Sequence, residues 1–494
     1  MLSILVHILL LTAPALAATA EEWSTRTIYQ IITDRFATSD DAVHPCDTNQ
    51  RKYCGGTWKG IIRHLDYIQN MGFDAIWISP VSANLEGNTT YGEAFHGYWT
   101  QDFTALNSHF GTDQDLRDLS AALHSRGMLL MLDVVINHVA APSIPGKDGF
   151  TLDGFYHPFT DRSYFHPQCF VGDSRDQSVI EQCWLGDEAV PLPDLNTEDE
   201  RVVQLFGDWV RNLVRQYSVD GLRIDTAKHI RKDFWPGWGQ AAGVFTMGEV
   251  LTDETAYAAP YTDVLDAILD YPSYFQLFRV FSSPQGRFSD AVAALQRAQA
   301  AYRNGLFRTG SFIENHDQPR LASATQDRAL ITNAMVFSFV HDGIPITYYG
   351  SEQGYQGGGD PSNREALWLS AYEEDKPLFR LLQSLNAARR QAMASSPNFL
   401  KTPMQFYAVE EHSVAVLKPP MLALLTNVGS DTSQGARWIV PRAFAPHALL
   451  IDVLTCAPVL ADANGGVDIV SQYGMPQVRP FLRACLVRAA ASLH

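Results

Sequence analysis

Apolar residues alternate between two patterns along most of this chain. Short continuous runs are separated by longer segments whose apolar positions recur three and four residues apart. Residues 128–135 are apolar almost without interruption, the mark of a strand buried on both faces. Residues 28–33, 74–79, 219–225, 244–248, 267–270, 311–315 and 344–349 are further strand candidates. Between them, Ile61, Ile62, Leu65, Ile68 and Met71 predict one amphipathic helix over 58–71, stopped by Gly72. A second helix is expected over 116–123, ended by Gly127. Thr197-Glu198-Asp199-Glu200 reads as a capping box opening a third, which runs through Val202, Phe206, Val210 and Leu213 to Tyr217. Strand and helix in repeated alternation imply a parallel sheet, and eight such strands imply an α/β fold of the (β/α)8 barrel type. Its site would lie where the strands end, at the C-terminal face.

Two stretches break the rhythm. About sixty residues from His138 to Leu195 are rich in Pro, Gly, Asp and aromatics, too long for a structureless loop in a compact domain. They are expected to form a small inserted domain after the third strand. Beyond Lys401, short alternating segments such as 412–417 and 422–425, with Pro and Gly turns, predict a C-terminal antiparallel β domain. The expected division is 1–20 as a leader, 21–137 with 196–400 as the barrel, 138–195 as the insertion and 401–494 as a β-sandwich.

Composition narrows the setting. A chain of 494 residues with 46% hydrophobic and 18% charged residues is globular. Its net charge of -17 argues against nucleic acid and anionic membranes as partners. Residues 1–20 hold no acid and carry an apolar run ending in Ala15-Leu16-Ala17, the form of a cleaved secretory signal peptide. No later segment is apolar enough to span a bilayer. The 6 cysteines then read as three disulfides of an extracellular protein, for which fifteen pairings exist. Pairing nearest neighbours joins Cys46 to Cys54, Cys169 to Cys183 and Cys456 to Cys485. Asn88-Thr89-Thr90 is a glycosylation sequon.

The candidate chemistry gathers at the strand ends. Arg223 and Asp225, two apart on a strand, project from one face, and a guanidinium beside a carboxylate favours its ionised, nucleophilic form. Glu249 follows apolar residues that would keep it protonated as a general acid. Asp317, after Glu314-Asn315-His316, is a third acid. Glycoside hydrolysis with retention needs two carboxyl groups about 5–5.5 Å apart, one charged and one protonated.

These stretches resemble the α-amylase family of glycoside hydrolases, and most closely the secreted fungal enzymes. The resemblance rests on Asp133-Val134-Val135-Ile136-Asn137-His138, residues 221–229, Gly248-Glu249-Val250, residues 312–317 and Leu192-Pro193-Asp194-Leu195, all in family order. It implies Asp225 as nucleophile, Glu249 as acid and base, and Asp317 as stabiliser of the transition state. It also implies His138, His316 and Arg223 as contacts to the sugar at the cleavage point, with Tyr98 stacked on that ring and Trp99 beside it. Lys228 and His229 match the leaving-group side, and Asp360 and Arg364 the opposite end. A calcium ion is implied at Asn137, Glu181, Asp194 and the main-chain carbonyl of His229, a set of hard oxygen donors. The activity implied is secreted, endo-acting cleavage of α-1,4 bonds in starch, glycogen and maltooligosaccharides by a monomer. On the same scaffold stand two other readings, an α-glucanotransferase and an inactive glucan-binding homologue. His138 counts against the first and the three acids against the second. Departures from the fungal pattern are Ala259 for a cysteine, Ser174 for a tyrosine, Arg51 for a glutamine, Asp253 for a glycine and Gln318 for an asparagine.

Overall fold

The computed structural model describes residues 18–147, 150–430, 435–471 and 473–479. Eight strands, β1 (Ile28–Ile31), β2 (Ala75–Ile78), β3 (Leu129–Val134), β4 (Gly221–Ile224), β5 (Phe245–Gly248), β6 (Ala267–Leu269), β7 (Thr309–Ser311) and β8 (Ile344–Tyr348), close into a barrel in that order. Every pairing around it is parallel.

The period of two along each strand sorts the side chains into two cores. Ile76, Ile78, Leu130, Leu132, Leu222, Ile224 and Ile268 point outward and join the large core beneath the helices. Ala75, Trp77, Met131, Phe245, Met247, Leu269 and Ile346 fill the interior. Gly310 on β7 makes room for that filling, because a Cβ there would lie 2.7 Å from Ile346 and 2.9 Å from Leu269. Trp23 plugs the lower end: it stacks on Phe245 at 5.3 Å and donates to the Asp220 carbonyl at 3.0 Å. With the bottom and middle filled, only the C-terminal face is left to form a site.

Three local expectations need correction. The helix expected over 58–71 is two, Trp58–Arg63 and Leu65–Asn70, broken at His64, whose ring stacks on Tyr372 at 3.8 Å. The helix Glu200–Tyr217 is capped by the Asp199 side chain, which accepts from the Arg201 N–H, so the box expected from Thr197 does not form. β7 ends at Ser311, two residues after it begins, where a strand to Asn315 was expected. Phe312 leaves the sheet to stack on Tyr274 at 5.0 Å.

Between β3 and Glu200–Tyr217 lie the helix Gln177–Gln182 and a hairpin of Leu185–Gly186 with Pro191–Leu192. Bridges His138↔Asp194 and Phe165↔Leu195 fasten this segment to itself, and Asp102↔His157 ties it to the connection between β2 and β3. At the C-terminal end, Gln405–Tyr407, Ser413–Lys418, Met421–Thr426 and Gln477–Arg479 make an antiparallel sheet beside two smaller ones. They share a separate core around Trp438, Leu424 and Leu450. Disulfides join Cys46 to Cys54 and Cys169 to Cys183. The third expected pair involves Cys485, and the expected leader covers residues 1–20; Cys485 and residues 1–17 lie outside the described residues. No described helix is long and apolar enough to cross a membrane.

Candidate functional site

Register decides which side chains meet at the open face. Asp133 on β3 is the lateral neighbour of Arg223 on β4, and Arg223 that of Met247 on β5. One step further along, Asp225 and Glu249 leave their strands side by side. Arg223, with no exposed surface, is the hub. Its Nη1 donates to Asp133 Oδ1 (2.9 Å) and Asp225 Oδ1 (2.8 Å), and its Nη2 lies 2.9 Å from Glu249 Oε2. Asp133 also accepts from Trp77 Nε1 at 3.0 Å and from the Tyr98 hydroxyl at 2.7 Å. These donors favour its ionised form, against the burial that pushes Asp133 up to about 7.

Asp317 faces this cluster from the loop after β7. His316 Nε2 lies 3.0 Å from its Oδ2, and Arg364 Nη2 lies 3.5 Å from its Oδ1. Tyr98 stacks on His316 with ring centroids 5.2 Å apart and planes 5° from parallel. Tyr98, Trp99, His138, Asp225, Asp317, Asp360 and Arg364 line one open groove with a cavity volume of about 290 Å³. Glu249 lies just beneath its floor, 6% exposed. Lys228 and His229 sit on the turn Ala227–His229 after β4, where Lys228 Nζ donates to the Leu251 carbonyl at 3.0 Å.

The electrostatics revise one expectation. Arg223 does favour the charged form of Asp225, but burial outweighs it and raises the carboxyl above its ordinary range. Glu249 and Asp317 are raised by burial as well. One guanidinium is shared by Asp133, Asp225 and Glu249, so it offsets the burial of each carboxyl less than a private partner would. Burial pulls His138 down to about 4 and His316 below its usual range, leaving both imidazoles neutral.

Some groups at the site were not anticipated. The Tyr271 hydroxyl lies 3.5 Å from Glu249 Oε1 and accepts from Asn315 Nδ2 at 2.8 Å. The Thr226 N–H donates to Glu249 Oε2 at 2.9 Å, and Gln30 Nε2 sits 2.7 Å from His316 Nδ1. Tyr271 and Gln30 stand at the ends of β6 and β1, so the strand-end rule that found the acids would have found them.

The expected calcium ligands divide between barrel and insertion. Asn137 Oδ1 and Asp194 Oδ1 are buried with no hydrogen-bond partner, while Asp194 Oδ2 accepts from His166 Nδ1 at 2.6 Å. The Leu195 N–H donates to the Asn137 carbonyl at 2.9 Å, which keeps the two residues together. Glu181 lies on Gln177–Gln182, and that helix meets the β4 turn where His229 Nδ1 donates to the Ile180 carbonyl at 3.0 Å. No three His, Cys, Asp or Glu side chains cluster as a metal site among the described residues. The expected set relies instead on an amide and a main-chain carbonyl beside two carboxylates. Two orphaned buried oxygens fit a hard cation.

Comparison with known proteins agrees with this geometry. Residues 30–406 match the α-amylase catalytic domain and residues 406–489 the α-amylase domain C. Alpha-amylase 1 of Schwanniomyces occidentalis is 42% identical over 468 residues, 94% of this chain and 90% of the relative. The α-amylase of Saccharomycopsis fibuligera is 40% identical over 93% of this chain and 92% of its own. Among solved structures, an α-amylase from Malbranchea cinnamomea superposes with a TM-score of 0.91 at 42% identity, covering 94% of this chain and 98% of that one. Fold, site and relatives agree: the chain belongs to the α-amylase family of glycoside hydrolases.

Proposed function

We propose that this protein is a secreted, endo-acting α-amylase that cleaves internal α-1,4 bonds of starch, glycogen and maltooligosaccharides with retention of configuration. Asp225 and Asp317 line one open groove, and Glu249 is tied to Asp225 through their shared partner Arg223; this meeting of three strand ends carries the reading. In it, Asp225 attacks the anomeric carbon as Glu249 passes a proton to the departing glycosidic oxygen. A glycosyl–Asp225 ester forms, and the glucan on the other side leaves with a free hydroxyl. Glu249, now charged, takes a proton from water, which attacks the ester and frees Asp225.

The surroundings suit these roles. Glu249 Oε2 is occupied by the Thr226 N–H and Arg223, so the proton belongs on Oε1. Arg223 orients Asp225 through one oxygen. Asp317, held by His316 and Arg364, would bind sugar hydroxyls and favour the flattened ring of the transition state. Tyr98 would stack on that ring, with Trp99 adjacent, and neutral His138 and His316 would exchange hydrogen bonds with its hydroxyls. Lys228 and His229 would meet the leaving side, Asp360 and Arg364 the other.

Asn137, Glu181, Asp194 and the His229 carbonyl would hold calcium, whose contribution is to fix the insertion against the barrel. Removing calcium with a chelator is expected to lower the melting temperature of a chain this long by about 3 °C, the effect of losing a ligand held at a hundred times its dissociation constant. Limited proteolysis should then cut within 138–195, and Asp194→Ala should melt alike with and without chelator. Two disulfides fit secretion into an oxidising medium, and Asn88, exposed, would carry a glycan.

The test is digestion of soluble starch followed by iodine colour, product chromatography and NMR of the first anomer released. Rapid loss of colour with short products in the α form is expected. Products longer than a maltooligosaccharide substrate would mean transfer in place of hydrolysis, and a first product in the β form would exclude the double displacement.

A further inference from the structure

An ion pair joins two of the loops that line the groove. Arg51 lies on the loop bounded by the Cys46–Cys54 disulfide, with a left-handed backbone at φ 49°. The Glu93 N–H donates to its carbonyl at 2.8 Å. Gly92 packs so closely that a Cβ there would lie 2.4 Å from that of Arg51. A residue pinned on two sides has little freedom in where it sends its side chain. That side chain reaches the loop after β8, where Nη1 lies 3.1 Å from Asp360 Oδ2 and Nη2 donates to the Asp360 carbonyl at 3.4 Å. Arg364 Nη1 holds the other carboxylate oxygen at 3.1 Å, and its Nη2 continues to Asp317. Arg51, Asp360 and Arg364 all border the groove that contains Asp225.

We infer that the Arg51–Asp360 bridge terminates the groove on the side away from Lys228 and so limits how many glucose units bind there before the cleaved bond. The inference rests on the reading that the groove holds an α-glucan. Arg51 and Asp360 keep 35% and 34% of their side-chain surface. A pair this exposed is weak and salt-sensitive. A sugar hydroxyl can therefore take over one of its hydrogen bonds, which makes the end restrictive without sealing it. The occupant is a glucose unit, and Arg51 acts by denying it room and by competing for Asp360.

The experiment is the bond-cleavage frequency of maltoheptaose labelled at its reducing end, for the wild type, Arg51→Gln and Arg51→Lys, at low and at high sodium chloride. The glutamine variant is expected to shift the ratio of cleavages toward more units on the Arg51 side by about threefold to fivefold, the scale of an exposed ion pair. Raising the salt should move the wild type in the same direction and leave Arg51→Gln unmoved. Arg51→Lys should fall between, since it keeps the charge and loses the fork. Equal melting temperatures would show that the variants fold alike. A ratio the same in wild type and Arg51→Gln, or insensitive to salt in the wild type, overturns the inference while leaving the functional reading standing. A wild type that cleaves no glucan overturns both.

Discussion

Glu249→Gln is expected to lower turnover on starch by roughly 10²–10⁴, the usual weight of a positioned general acid, with the fold and glucan binding intact. The amide keeps the shape of the carboxyl and can still accept from the Thr226 N–H, the contact that positions Glu249 Oε2. It cannot release a proton to the glycosidic oxygen. The loss should depend on the leaving group. On an α-maltosyl fluoride, whose fluoride departs without protonation, the first step no longer needs Glu249, so the variant should lose much less in kcat/KM, which reports that step, while its kcat stays limited by the water step that lacks its base. Asp225→Asn should lose activity on both substrates, because the nucleophile serves whatever the leaving group. The pH profile separates the roles further. Burial raises Glu249, so its proton persists above the ordinary carboxyl range, and wild-type activity on starch should fall on the alkaline side as that proton is lost. The fluoride reaction of Glu249→Gln should lack that limb. Equal losses of kcat/KM on starch and on the fluoride would remove Glu249 from the acid role.

Much of this arrangement was legible in the chain because barrel strands are short, apolar and followed at once by polar residues. Residues 128–135 announced β3, and Asn137 and His138 follow where a strand must end. Where the reading slipped, tertiary contacts overrode a local pattern. Phe312 and Ile313 look like a strand because they are apolar, yet Phe312 is drawn off to Tyr274 and Tyr271. The strand itself sits on Thr309, Gly310 and Ser311, whose small side chains make a poor apolar signal and leave the interior to their neighbours. His64 breaks a helix that its spacing would continue, because Tyr372, distant in sequence, stacks on it. The surroundings of Asp225 were legible only in part, for a related reason. Reading Arg223 as its private partner overlooked that Asp133 and Glu249 share the same guanidinium, which only register between strands reveals.

The largest stability effect is expected far from the groove, at the pair formed by Asp342 and Lys418. Asp342 lies just before β8, at the end of the barrel opposite the acids, and Lys418 ends the strand Ser413–Lys418 of the C-terminal sheet. Their Oδ1 and Nζ are 2.6 Å apart, with neither side chain exposed. The Met404 N–H donates to the same carboxylate oxygen at 2.9 Å, Lys418 donates to the Thr402 carbonyl at 2.8 Å, and Phe307 and Phe399 cover the ammonium. Burial raises Asp342 and pulls Lys418 down to about 8, so the enclosure disfavours both charges. Such a pair adds little over an apolar substitute, but breaking it strands a charge. Asp342→Ala should therefore cost about 3–5 kcal/mol in denaturant titrations, and Lys418→Met in that background should recover most of the loss. Starch cleavage per folded molecule should be unchanged in both. Arg437→Ala, which removes an exposed partner of Asp468, serves as the contrast and should fall within about 1 kcal/mol of the parent. If Asp342→Ala proved as mild as Arg437→Ala, water must reach the ammonium, and the junction between barrel and C-terminal sheet would be far looser than its packing indicates.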